Sequence, residues 1–116
     1  MNEIEMKRRT KAFALDVIRV TSTLPSNFVG KRLGDQLLRS GTSVGANYRA
    51  ACRARSKADF ISKLAVVEEE ADESAFWMEI LIESGVVQSE KLMKLLDEAD
   101  QLTAIMVASR KTSAKG

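Results

Sequence analysis

The sequence predicts an all-α protein folded as one domain, an antiparallel up-down bundle of four helices. Three observations predict it. Apolar residues recur at spacings of three and four along most of the 116 residues, the period of an amphipathic helix. One Pro, four Phe, one Tyr and one Trp leave the chain short of the aromatic residues that strands favour, while Ala, Leu, Glu, Lys and Arg abound. The periodic stretches are separated by short runs with cap and turn chemistry, and short connections make successive helices run antiparallel. The length suits a single domain with one core.

The first helix is expected over residues 2–24. Phe13, Val17, Val20 and Leu24 form its apolar stripe, widened by Ala14, Ile18 and Thr21. Pro25 ends it, and Ser26 and Asn27 offer an N-cap for the next helix. That second helix, 28–55, carries Leu33, Leu37, Val44, Tyr48 and Cys52 on one side, with Leu38 and Ala51 beside them. The pattern keeps its phase through Gly41 and Gly45. One long helix with a kink near residues 40–43 accounts for it; a turn at Ser40-Gly41-Thr42-Ser43 is the competing reading. Ser56 and Asp59 make an S-x-x-D start signal for a third helix over 57–84, with the seam Phe60, Leu64, Val67, Ala71, Ser74, Met78 and Leu81. Gly85 has the place of the residue just past a helix end. Ser89 opens a fourth helix, 89–110, in which Leu92, Leu95, Leu96, Ala99, Leu102, Ile105 and Met106 recur. The polar tail from Arg110 on is expected to fray.

Each interior glycine costs about 1 kcal/mol relative to Ala in a helix, so Gly41 and Gly45 need a reason. Together with Ala46, Ala50 and Ala54 they suggest a small-residue surface for close helix crossing. A phosphate cradle is the alternative, but the Walker pattern requires Lys after its last Gly, and Gly45 is followed by Ala46 and Asn47.

Several kinds of chemistry are excluded. With no His, neither a Ser-His-Asp triad nor the Glu-x-x-His ligands of ferritin-like bundles can be built. One cysteine, Cys52, permits no intrachain disulfide and no cysteine zinc site, and is read as a small core residue. Glu68, Asp72 and Glu79 share a helical stripe, read as a solvated or interface face, with an all-carboxylate metal site as the lesser reading. No cofactor and no small-molecule ligand are expected. No apolar run approaches the length of a membrane span, and no signal sequence opens the chain, so a cytoplasmic protein is expected.

Net charge is only +2, but it is unevenly distributed. Residues 27–57 hold seven cations (Lys31, Arg32, Arg39, Arg49, Arg53, Arg55, Lys57) against Asp35, whereas residues 58–84 hold eight acids against Lys63. Two basic clusters, Lys7-Arg8-Arg9-Lys11 and Arg49-Arg53-Arg55-Lys57, are the candidate nucleic-acid contacts. The first opens a helix, where the dipole disfavours cations, so it is read as serving either a partner or solubility. Arg49 and Arg53, one turn apart, face either an anion or carboxylates of the third helix such as Glu69 and Glu73. Trp77 is either an outer core residue or an anchor for a partner subunit. The alternative to nucleic-acid binding is a protein-interaction or assembly module whose charges serve only the oligomer, and a small helical enzyme clamping an anion with Arg49 and Arg53 is the least favoured of the function classes.

The segment SVGANYRAACRARSKADFISKLAVVEEEADESAFWMEILIESGVV resembles the 23S rRNA intervening-sequence proteins. The resemblance is carried by Ser43, Val44, Asn47, Arg53, Lys57, Asp59, Phe60, Glu69, Glu73 and Gly85. It extends from about Phe13 to Met106 and is most specific over residues 39–87. Where the common family pattern reads N-I-A-E-G, this chain has Asn47-Tyr48-Arg49-Ala50-Ala51, so no role of that Glu carries over. The resemblance implies an up-down four-helix bundle and a ring-like homo-oligomer, a pentamer, without enzymatic activity. It also implies kinship with accessory proteins of diversity-generating retroelements, which bind nucleic acid. Gly41, Gly45, Asn47, Glu69, Glu73 and Trp77 are then structural or interface residues, and RNA or DNA is the expected partner.

Overall fold

Each of the first three helices begins at a side chain that takes over an otherwise unpaired backbone N–H. In a computed structural model that describes residues 2–115, Asn2 accepts from the Glu5 N–H at 2.8 Å, Asn27 from Gly30 at 2.8 Å and Ser56 from Asp59 at 3.0 Å. From these caps run α1 (Glu3–Thr21), α2 (Phe28–Ala51) and α3 (Lys57–Glu83); α4 spans Ser89–Lys115. No strand occurs among the described residues. α3 ends at Gly85, whose φ of +81° is the left-handed conformation that favours glycine.

Three element boundaries differ from the sequence reading. α1 stops at Thr21, four residues before Pro25, and Thr21, Ser22 and Thr23 turn their hydroxyls onto carbonyls three or four residues back. α2 stops at Ala51, so Arg53 and Arg55 stand on the connection rather than on the helix. α4 continues through the polar tail to Lys115, where fraying was expected. α2 runs unbroken through Gly41 and Gly45, which rules out the turn at residues 40–43.

The four helices pack in sequence order, α1 on α2, α2 on α3 and α3 on α4, with α1 returning to a lighter contact with α4. The resulting rod measures 47 × 20 × 19 Å, close to the ~40 Å length of a 27-residue helix. Its core is one continuous cluster, Phe13 and Val17 from α1, Leu37 and Val44 from α2, Leu64, Val67, Met78 and Leu81 from α3, and Leu92, Leu102 and Met106 from α4. Removing each such side chain from water contributes about 1.5–3 kcal/mol. Among the described residues no buried side-chain polar atom lacks a partner. The Ser40 and Ser74 hydroxyls, both buried, meet across α2 and α3 at 3.0 Å and also lie near carbonyls of their own helices.

The α1–α2 contact is built on glycine. A Cβ at Gly41 would lie 2.7 and 2.8 Å from the two γ-methyls of Val17, one at Gly45 would lie 3.3 Å from the Thr10 carbonyl oxygen, and one at Gly34 3.0 Å from a Leu24 methyl. A Cβ at Gly30 would overlap the Pro25 carbonyl. Val17 and Leu24 are seven apart, and so are their partners Gly41 and Gly34, so the contact recurs after two turns of α2 and is carried by Leu24 past the end of α1. The small-residue surface therefore runs back from Gly45 to Gly30. It does not continue to Ala46, which is exposed.

Gly41→Ala should lower stability by about 1 kcal/mol, because overpacking against a buried β-branched side chain outweighs the helix-propensity gain. Gly45→Ala should be near neutral. Urea unfolding checks both, and Val17→Ala introduced together with Gly41→Ala should cost less than the two single changes added together.

Candidate nucleic-acid interface

In an up-down bundle the N-termini of the odd helices and the C-termini of the even ones lie at the same end. Here that end is marked by a cleft lined by Glu3 of α1, Tyr48 of α2, Phe60 of α3 and Thr112 of α4. The topology therefore brings Lys7-Arg8-Arg9-Lys11 and Arg49-Arg53-Arg55-Lys57, some forty residues apart in the chain, to one end of the rod, and adds Lys63, Arg110, Lys111 and Lys115 to them. Residues 2–12, 49–63 and 105–115 hold twelve of the 18 cations and three of the 16 carboxylates, and two further carboxylates, Glu98 and Glu68, reach this end through Arg9 and Arg110. A molecule of net charge +2 is thus strongly polarised along its length.

The cations at this end differ in how free they are. Arg9 is held inside the bundle. Its guanidinium forks onto Glu98 of α4 at 2.7 and 2.8 Å and also donates to Gln101 at 2.8 Å, closing the α1–α4 seam. Lys7 and Arg8 lie one turn from Glu3 and Glu5 at 3.9 and 3.8 Å, loose exposed pairs that those acids supply in the first turn. This softens the mismatch with the helix dipole inferred for the cluster. Lys11, Arg49, Arg53, Arg55 and Lys57 are exposed and make no salt bridge among the described residues.

Arg53 and Arg55 are presented by the short connection after Cys52. With Ala50, Asp59 and Lys63 they line an open groove of about 370 Å³. Asp59 is the local organiser. It accepts from the Lys63 ammonium at 2.7 Å and from the Arg55 backbone N–H at 3.2 Å, and these two bonds hold its carboxyl below the usual range. One carboxylate thus fixes the turn and leaves the Arg53 and Arg55 guanidinium groups pointing to solvent.

The expected pairing of Arg49 and Arg53 with Glu69 or Glu73 does not occur. Glu73 receives Arg39, which also reaches Glu70 at 3.4 Å, and it accepts the Trp77 indole N–H at 3.1 Å. The register of α2 on α3 decides this: Arg39 lies level with the carboxylates, while Arg49 and Arg53 lie beyond them. Glu69 is exposed. Glu68, the head of the stripe with Asp72 and Glu79, accepts from Arg110 of α4 at 2.9 and 3.0 Å, and no group of three metal-ligating side chains is found among the described residues. Asn47 donates to the Ser43 carbonyl of its own helix at 2.8 Å. Trp77 packs partly against the core with the exposed Phe76 ring edge-on at 5.0 Å.

The cleft escaped the sequence reading. Its aromatic residues Tyr48 and Phe60 fall on apolar seams and look like ordinary core. They do pack on the core, but both also wall the opening, together with Ala108 and Ser109. Cys52, read as core, sits half-buried at the same opening. Burial, then the nearby Glu3 carboxyl, pushes its thiol above the ordinary range; burial does the same more strongly to the Tyr48 phenol. Cys52 is thus a protonated thiol at neutral pH and a poor nucleophile.

Arg9→Ala should cost about 1 kcal/mol in urea unfolding, whereas Lys11→Ala should stay within about 0.5 kcal/mol. Alkylation of Cys52 by iodoacetamide at pH 8 should be slower than that of free glutathione and should accelerate as pH rises; a rate equal to glutathione's would contradict the raised thiol.

Comparison with known proteins agrees with this architecture. No curated protein matches the chain. A solved structure of a protein of unknown function from the S23 ribosomal protein family of Bacteroides thetaiotaomicron VPI-5482 superposes with a TM-score of 0.86 at 32% identity, covering 96% of this chain and 99% of that one. The sequence profile of the 23S rRNA-intervening sequence protein family matches residues 2–108. This bundle, with its glycine-built α1–α2 contact and its basic end, belongs to the 23S rRNA-intervening sequence protein family.

Proposed function

We propose that this chain is a non-enzymatic, homo-oligomeric bundle that binds nucleic acid, structured RNA foremost, through its basic end. The observation that carries the reading is the gathering of two sequence-distant basic clusters on one end, where twelve cations meet five carboxylates, Glu3, Glu5, Asp59, Glu68 and Glu98. Phosphate neutralisation by such a surface supplies affinity without sequence information. The exposed cations that form no salt bridge among the described residues, Lys11, Arg49, Arg53, Arg55 and Lys57, are the ones available to make those contacts. Arg9, committed to α4, contributes to the field and to the fold.

Assembly belongs to the same proposal. Leu15 and Ile18 on α1, Phe28 and Val29 at the start of α2, and Phe76 on α3 are exposed apolar side chains, more than a solitary bundle needs at its surface. Exposed acids of α3 such as Glu69, Asp72 and Glu83 complement the basic end of a second copy, and head-to-tail contacts of that kind close into rings. The family resemblance implies that such a ring has five subunits.

Binding to a structured RNA and a matched duplex DNA, measured across salt concentrations, tests the reading. A steep log–log salt dependence is expected. Arg53→Glu with Arg55→Glu and Lys57→Glu should reduce that slope by about two to three, while Lys31→Glu with Arg32→Glu at the opposite end should leave it nearly unchanged. Absence of binding at low salt, or an equal loss from both sets, would overturn it. Light scattering of the same variants reads out assembly: dissociation of the oligomer by the basic-end set with RNA binding retained would make those cations the glue of the assembly instead.

A further inference from the structure

The basic end is more than a charged surface, because the cleft at its centre continues into the bundle. An inner cavity of about 240 Å³ is floored by Met6, Leu64, Ile105 and Met106. An outer one of about 570 Å³ is rimmed by Glu3, Cys52, Thr112 and Ser113. Tyr48, Phe60, Ala108 and Ser109 line both, which makes them one continuous depression, apolar at the bottom and polar at the mouth.

We infer that this cleft receives a single unpaired base of the bound nucleic acid, an amino-bearing one, against the rings of Tyr48 and Phe60. The inference rests on the nucleic-acid reading above. Size is the first argument: the inner part of the depression, about 240 Å³ beside Tyr48 and Phe60, has room for one flat ring system, and the outer part, about 570 Å³, for the sugar and phosphate that carry it. The walls are the second, since unpaired bases are held by aromatic side chains over apolar contacts. The rim is the third. Glu3 offers a carboxylate to the exocyclic amino group of adenine or cytosine, and Ser109, Thr112 and Ser113 offer hydroxyls. A bare anion would meet the Glu3 carboxylate. The charges supply the fourth. Every helix end at the mouth carries cations beside its lining residue: Lys7 one turn from Glu3, Arg49 and Arg53 adjoining Tyr48 and Cys52, Lys57 three residues before Phe60, Lys111 next to Thr112. A base in the cleft thus has its flanking phosphates among cations.

The test uses the full chain and an RNA hairpin with one bulged 2-aminopurine, its abasic counterpart, and the fully paired duplex. The expected results are quenching of the 2-aminopurine on binding and a loss of about tenfold in affinity for the abasic hairpin. Ala108→Trp, on an exposed position that lines both cavities, should abolish the quenching and the intact-to-abasic ratio; Ala104→Trp, exposed on α4 outside the cleft, should leave both as in the wild type. Phe60→Leu, which keeps an apolar side chain, should weaken both. Equal affinity for intact and abasic hairpins, with binding retained, would overturn the cleft assignment and leave the nucleic-acid reading standing. Free AMP binding as tightly as the hairpin would overturn it in favour of a mononucleotide site. Failure of every RNA to bind at low salt would end both readings together.

Discussion

The close approach of α1 to the glycine face of α2 is the constraint on which the rest of this molecule depends. α1 is the shortest helix and meets α4 only lightly, with Arg9 on Glu98 and Gln101 as the polar clasp of that seam. Its position is therefore set by α2. Val17 sits where any side chain at Gly41 would crowd it, and the Thr10 backbone lies close against Gly45. The helix-propensity cost of interior glycines is offset by a tighter interface and by burial of Phe13 and Val17 in the common core.

That register has an electrical consequence. With α1 held antiparallel to α2, the first turns of α1 lie beside the last turn of α2, and the two sequence-distant basic clusters become one surface. The remaining seams remove opposite charges pairwise. Arg39 with Glu70 and Glu73, Arg110 with Glu68, and Arg9 with Glu98 each join neighbouring helices, so these arginines act within the fold. Arg49, Arg53, Arg55 and Lys57 fall outside every such register and remain turned to solvent. Which arginine is structural and which is free is thus decided by axial level along the rod, since all four helices carry charge of both signs.

Asp59 links fold and surface most directly. It supplies the N–H acceptor that closes the α2–α3 connection and the partner that steadies Lys63, and in doing so it shapes the groove of Arg53 and Arg55. The aromatic cleft arises similarly from a packing requirement. Tyr48 and Phe60 lie near the end of the core, so side chains that pack on the core also form the walls of an opening.

Much of this was legible in the residue order alone. Four helices, their caps at Asn27 and Ser56, the C-terminal glycine Gly85, and the buried seam of Leu64, Val67, Ala71, Ser74, Met78 and Leu81 follow from periodicity and cap chemistry, which act over one or two turns. The two basic clusters were legible as composition, though the helix ends at Thr21 and Ala51 were not, because hydroxyl back-bonding and the loss of neighbours at a bundle end compete with local pattern. Tertiary structure alone decided that Gly30 and Gly34 join Gly41 and Gly45, that Arg39 takes Glu73 and Arg9 takes Glu98, and that Tyr48 and Phe60 border a cleft. The physical reason is the same in each case. Periodicity determines which face of a helix is buried, but the axial register between two faces is set by the fit of side chains from different helices, and that fit exists only once the helices have met.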